Sequence, residues 1–302
     1  MATKRLTSAA KAHRFGGDWT SAKLDLLAKY LKAYATVMKK QNFKTAYIDA
    51  FAGSGYRENR RSGPGNLLEF PEMAAEAPQG LLDGSARLAL KTDPRFAAYI
   101  FIERNAGRCR ALEDLRAEFP DKTDAIRIKQ GEANEEIQSL CRRDWTDRRA
   151  VLFLDPYGLE VEWATVEAIA ATQAIDLWLL FPLGIGVNRL ATRSGDIPVA
   201  WQHRLNLLLG TEDWYQAFYK VEKSPNLDLF DPDAEQVVRA SIAVMGQYFI
   251  NRLKTVFPTV AENPLVLRNK ANCPLYLFCF AAGNGGRGGE IALRIANSLL
   301  KQ

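Results

Sequence analysis

Four short stretches carry residue types that could do chemistry where apolar packing would not ask for them: Asp49 to Gly55, Glu103, Gly131 to Ala133, and Asp155 to Gly158. In the first, Gly53 and Gly55 let the backbone approach a ligand closely and adopt positive φ. Asp49 is placed to fix that turn by accepting its N–H groups. Glu103 is an acid suited to accepting the two hydroxyls of a ribose. In the last stretch, Asp155, Pro156 and Tyr157 put a carboxylate, a rigid ring and an aromatic ring together. A carboxylate can accept a hydrogen bond from an exocyclic base amine and align its lone pair, and an aromatic ring can stack on an extruded base. Each stretch alone has a plain structural reading, as a tight turn or a solvated acid. Together they read as a nucleoside-containing cofactor met by a substrate.

The cofactor is narrowed by what is missing. A dinucleotide fingerprint needs G-x-G-x-x-G, and the third glycine position here is Glu58. A carboxylate there is wrong beside a pyrophosphate. No G-x-x-x-x-G-K-[ST] run exists, which excludes a P-loop. The turn runs into a long loop, 56–84, rather than into a phosphate-binding helix. Those features suit a cofactor without a pyrophosphate, such as S-adenosylmethionine.

These residues must be held by strands. Lys44–Phe51, Tyr99–Glu103, Ile126–Gln130, Ala150–Leu154 and Asp176–Phe181 read as short apolar strands. Helical patterns lie at Ser21–Lys40 (capped by Thr20), Ala106–Phe119 and Glu160–Thr172. Strands alternating with helices predict an α/β, doubly wound, mainly parallel sheet, whose ligands lie outside the strands' carboxyl ends. The stretch 186–263 shows helical patterns, Trp201–Leu209 and Glu235–Lys254, and no clear strand, and so reads as a helical insert. Leu265–Leu267 and Leu275–Phe280 are two further strands, and Glu290–Lys301 a last helix. The Rossmann-like domain is therefore expected over 19–185 and 264–302.

Composition sets outer bounds. The 302 residues are 47% hydrophobic and 25% charged, which excludes a disordered chain. No apolar run reaches membrane-spanning length. Residues 1–18 read as a flexible basic tail: Lys4, Arg5, Lys11 and Arg14 hold most of the net charge of +5. Further basic clusters stand at Arg57, Arg60 and Arg61, at Arg104, Arg108 and Arg110, and at Arg142, Arg143, Arg148 and Arg149. The four cysteines show no CxxC spacing and there are two histidines. That argues against a metal site and for a reducing, cytoplasmic compartment.

The segments FGGDWTSAKL, YIDAFAGSG, GSARLAL, FIERN and VLFLDPYG together resemble the three-Cys-motif partner protein family, over essentially the whole chain. The family is named for a neighbouring protein with a three-cysteine motif that resembles a radical-SAM protein. More distantly, the motif order is similar to adenine-N6 methyltransferases acting on ribosomal RNA. Both resemblances imply a Rossmann-like class I S-adenosylmethionine-dependent methyltransferase fold; the first implies a three-Cys-motif partner, and the second points to DNA or RNA as possible substrate. They imply that Asp49, Phe51, Gly53, Ser54 and Gly55 form the cofactor loop and that Lys23 meets the methionine carboxylate. They also imply that Gly84 and Ser85 cap the helix beneath the cofactor, that Glu103 holds the ribose, and that Glu132 and Ala133 border the adenine. Asp155 would orient the target amine. Amino-methyltransferases have Asp-Pro-Pro-Tyr at this strand end. Here the order is Asp-Pro-Tyr-Gly, which brings the ring one residue early and changes the side it faces. Two other readings stand beside the enzyme. One is a non-catalytic subunit that binds S-adenosylmethionine or nucleic acid for its partner. The other is a nicotinamide oxidoreductase, against which Glu58 argues.

Overall fold

The computed structural model describes residues 19–54, 84–156, 158–223 and 235–301. The basic tail 1–18, Gly55, the loop that follows it, and Tyr157 lie outside the described residues.

Five parallel strands come first: β1 (Lys44–Asp49), β2 (Ala98–Glu103), β3 (Ile126–Gln130), β4 (Arg148–Leu154) and β5 (Ile175–Phe181). In space they run β3-β2-β1-β4-β5, so the order reverses at β1 and opens a crevice between β1 and β4. The pairing fixes the site's register: Asp49 lies opposite Phe101 of β2 and Phe153 of β4. Two short edge strands, β8 (Thr259–Val260) and β9 (Leu265–Arg268), precede the long β10 (Pro274–Ala282). β10 runs antiparallel beside β5, with Phe278 opposite Leu180 and Ala282 opposite Asp176. β8 and β9 pair with β10 in turn.

The central strands are apolar throughout because both faces are covered. Alternate residues separate into two cores. Tyr47, Val151, Phe153, Trp178, Leu180, Phe278 and Phe280 point to one face. There they meet α1 (Trp19–Met38), α2 (Ser85–Leu90) and α11 (Arg287–Leu300). Leu24, Leu27, Leu31 and Tyr34 give α1 its buried stripe at helical spacing. Ile48, Leu152, Leu154, Leu177, Leu179 and Phe181 point to the other face. It is covered by α5 (Ala133–Cys141), α6 (Trp163–Ala171), α8 (Val199–Leu209), α9 (Trp214–Phe218) and α10 (Ile242–Val256). Phe249 of α10 stacks on Phe181 with ring centroids 3.6 Å apart, so the 186–263 stretch packs directly on the sheet.

Several boundaries differ from the sequence expectation. The 106–119 helix is two, α3 (Ala106–Glu113) and α4 (Leu115–Glu118), with Asn105 capping α3 by accepting from Arg108 N at 3.0 Å. α1 already includes Thr20, which therefore is not its cap. α5 is a further helix that the sequence reading left out, although Ala133, Ile137 and Leu140 recur along it at helical spacing. The stretch 186–263 is not free of strands. After the single turn α7 (Asn188–Leu190), β6 (Tyr219–Lys223) and β7 (Glu235–Arg239) form an antiparallel pair, and β8 joins the main sheet. Residues 235–239 thus belong to a strand, and α10 begins only after Ser241, whose hydroxyl accepts from Val244 N.

Candidate functional site

The carboxyl ends of β1, β2 and β4 bring Asp49, Glu103 and Asp155 to one end of the sheet, with the turn after β1 lying between them. Asp49 is fully buried. It accepts from Phe51 N (3.3 Å), from the Tyr47 hydroxyl (3.3 Å) and from the Ser85 hydroxyl. Burial pushes its carboxyl up to about 7. The Ser85 hydrogen bond opposes that rise, and the nearby Asp155 charge adds to it. Ser85 opens α2 behind the Gly84 cap, so its hydroxyl ties that helix to β1.

Glu103 is also turned inward. Its two oxygens accept from Gly53 N (3.1 Å) and Asn105 N (2.8 Å), and Arg108 stands 3.8 Å away. The acid at the end of β2 thus holds the turn after β1. A carboxylate has about four acceptor positions, so capacity for hydroxyl donors remains. Gly53 has φ +62°, and a Cβ built there would meet nothing within 4 Å. Its glycine is required by conformation, and none of the described residues crowds the position of a Cβ there. Ser54 is buried, and Phe51 packs at the margin of the core.

Asp155 forms an ion pair with Lys23, which reaches it from α1. The Lys23 side chain is 4% exposed and that of Asp155 14%. The Lys23 ammonium also lies 5.2 Å from the centre of the Trp19 ring. The cation expected to face a cofactor carboxylate therefore sits on the carboxylate expected to face the substrate. Asp155 Oδ1 is buried with no hydrogen-bond partner among the described residues. An unmatched acceptor costs about 1–3 kcal/mol, which makes it a natural anchor for a donor from outside the chain. Pro156 follows directly; Gly55 and Tyr157 are outside the described residues.

Glu132 and Ala133 lie at the third strand end. Gly131 N donates to the Glu103 carbonyl at 3.2 Å, tying this turn to the second strand. Glu132 precedes α5 and pairs with Arg104 at 2.9 Å on the surface, while Ala133 is buried. The structure thus brings Lys23, Asp49, Gly53, Ser85, Glu103 and Asp155 into one connected set, with Glu132 at its edge.

Sequence reasoning missed three supports. Tyr47 shares a face with Asp49 by strand alternation, a signal that was available. Asn105 was readable as a cap one residue before α3. Asn134 gave no sign. Its amide donates to the Glu160 carbonyl (2.8 Å) and its oxygen accepts from Glu162 N (3.0 Å) and the Thr165 hydroxyl (2.8 Å). It fixes the chain that leaves Asp155, through residues 26 to 31 positions away in sequence.

No protein-family model and no curated protein matches the chain. Among solved structures, a Legionella pneumophila protein is 11% identical, covering 78% of this chain and 94% of that one at a TM-score of 0.40. Spermidine synthase from Thermotoga maritima is 12% identical, covering 89% of this chain and 60% of that one at 0.38. A dimethyladenosine transferase from Plasmodium falciparum is 12% identical, covering 76% and 66% at 0.31. All are remote, and the strand order is the firmer ground. Five parallel strands reversing at β1, one antiparallel strand beyond β5 and helices on both faces make this the Rossmann-like class I methyltransferase fold.

Proposed function

We propose that the chain is an S-adenosylmethionine-dependent methyltransferase acting on an exocyclic amine of a nucleic acid base, together with a three-Cys-motif, radical-SAM-like partner protein. The observation that carries the reading is the buried Asp155 Oδ1, without a partner among the described residues, at the same strand ends as the turn at Gly53 and the Glu103 that holds it. The donor set fits the cofactor. Glu103 retains acceptor capacity for ribose hydroxyls, the Gly53 turn allows close backbone approach, and Glu132 with Ala133 would border the adenine. When bound, S-adenosylmethionine would supply a methyl group on a sulfonium.

The chain's own residues would then do the following. Lys23 holds Asp155 by Oδ2 and balances its charge, leaving Oδ1 for a substrate N–H. That hydrogen bond points the amine's lone pair away from the carboxylate. The nitrogen must shed a proton once it has gained a fourth bond, and Oδ1 is the base already bonded to it. Asp49 and Glu103 take no part in proton transfer; they hold the turn. Pro156 stiffens the chain behind Asp155, and Tyr157 is the aromatic ring nearest in sequence for stacking.

The test is incubation of the purified chain, with and without its partner, with methyl-labelled S-adenosylmethionine and DNA, RNA or protein. Label should reach nucleic acid. Asp155→Ala should abolish transfer while cofactor affinity changes only a few-fold, and undiminished transfer in that variant would remove Asp155 from the chemistry. A second reading, a non-catalytic cofactor-holding subunit, is favoured by the Asp-Pro-Tyr-Gly order and by the Lys23 pairing. Label transfer by the isolated chain excludes it.

A further inference from the structure

Two sequence features play no part in the site above: the Arg142 to Arg149 basic cluster and the glycine-rich run after β10. They meet at the opposite end of the sheet. There a cavity of about 990 Å³ opens between the segments that follow α5, α6, α10 and β10. That volume lies at the upper end of the range for small-ligand sites. Arg143, Arg149 and Lys254 line it, against one carboxylate, Asp144, among the described residues. Asp144 is already engaged: it accepts from Thr146 N (2.9 Å) and from the Thr146 hydroxyl (2.6 Å).

The cations differ in their ties. Lys254 pairs with Glu262, and it lies in the last turn of α10, where the helix dipole accounts for a basic residue. Arg149 is held in place by Phe43, 3.9 Å beneath its guanidinium, and by carbonyls of Trp145 and Arg148. Arg143 is exposed and makes no ion pair or side-chain hydrogen bond among the described residues. The helix dipole explains Lys254 but not Arg143 two residues beyond the end of α5, nor Arg149 on β4. The opposite wall, Gly283 to Gly286, presents backbone and the Asn284 side chain. The Asn284 oxygen accepts from Gly286 N (2.8 Å), which leaves its amide hydrogens for a ligand. Gln173, also on the lining, sits at φ +52°, where glycine or asparagine is the favoured residue.

We infer that this cavity binds a phosphate group, carried either by a free nucleotide or by a nucleic acid strand, with Arg143 and Arg149 as its main contacts. Arg forks match phosphate geometry bidentately, and the guanidinium, ammonium and amide donors on the lining outnumber its one described carboxylate, Asp144, one oxygen of which is taken up by Thr146. This site is separate from the proposed methyl-transfer site and does not depend on it.

The experiment is a titration of the full chain with pyrophosphate, AMP and a short single-stranded oligonucleotide, repeated with S-adenosylhomocysteine present in excess. Arg143→Glu is the variant, since this exposed residue can change sign without unpacking the core. Wild type should bind at least one probe, unaffected by S-adenosylhomocysteine, and the variant should bind it at least tenfold more weakly. AMP as the best probe identifies a nucleotide. The oligonucleotide as the best probe, with affinity falling steeply as salt rises, identifies a strand. Binding of none of the three at millimolar concentration, displacement of every bound probe by S-adenosylhomocysteine, or equal affinity in Arg143→Glu would each overturn the proposal.

Discussion

The two ends of the sheet each bury an aspartate, and the two are held at the same protonation threshold by different surroundings. Asp49, at the carboxyl ends, is pushed up to about 7 by burial, with a second carboxylate nearby adding to the rise and three donors opposing it. Asp176 begins β5 at the amino ends. It takes one hydrogen bond from the Tyr30 hydroxyl (2.7 Å), feels Arg149, and likewise rises to about 7 because it is buried. Perturbed carboxyls cluster at functional sites, yet here the shift alone does not separate the candidate site from the structural end. What separates them is what the neighbours do. Around Asp49 they are donors that fix the turn after β1 and the start of α2. Around Asp176 they are the packed rings of Tyr30 and, in contact with Tyr30, Trp178 and Phe280.

The sharpest way to break this contrast is at the ion pair. Lys23→Met would leave Asp155 nearly buried and uncompensated, which costs about 3–5 kcal/mol in comparable buried pairs. Lys23→Met with Asp155→Asn should recover most of that loss, because no charge is then stranded. Urea denaturation of the single and double variants measures both. If the single variant is as stable as wild type, the pair does not hold α1 to the site.

Next in size is the pH dependence. A carboxyl whose folded pKa is about 7, against an ordinary value of 3.8, keeps its proton longer in the folded chain. Its burial costs nothing below about pH 4, and stability falls as pH rises from there through about 7, by at most a few kcal/mol per group. Asp176→Asn and Asp49→Asn should therefore each flatten the decline in stability between pH 5 and pH 8. Tyr30 can still donate to an asparagine oxygen, so Asp176→Asn should leave S-adenosylmethionine affinity unchanged. Asp49→Asn has one acceptor oxygen where two served Phe51 N and the two hydroxyls, and should weaken affinity at least tenfold. Calorimetric titration decides this, and equal affinities in the two variants would erase the distinction between the ends of the sheet.

The sequence made one end of the molecule far more legible than the other. Strand ends are local: an apolar run stopping at Asp49, Glu103 or Asp155 marks the carboxyl edge of the sheet, and four consecutive stops mark a crevice. The same reasoning could not pair Lys23 with Asp155, because they are 132 positions apart and nothing in either segment names the other. Residues 235–239 were read as helix because the apolar pattern continues into α10. Only their partner β6 makes them a strand, and nothing within residues 235–239 names that partner. The amino-end cavity was invisible for a related reason. Its basic residues and its glycines are each unremarkable runs, and four separate segments must fold before they face one another.

The smallest effect compares two left-handed residues, one at each end. Gly53, at φ +62°, has the residue its conformation favours, and Gln173, at φ +52°, does not. Gly53→Ala should lower stability by about 1 kcal/mol through backbone strain, since a Cβ there meets none of the described residues. Gln173→Gly should raise stability by a similar or smaller amount, the relief of strain being offset in part by the greater freedom of glycine in the unfolded chain. Thermal denaturation of both variants reads these shifts. The ligand effects should then diverge: Gly53→Ala places a methyl group beside the turn and should weaken S-adenosylmethionine binding beyond what its stability loss explains, while Gln173→Gly should leave that binding untouched. A Gly53→Ala variant with full affinity would mean that the space beside the turn is not where the cofactor lies.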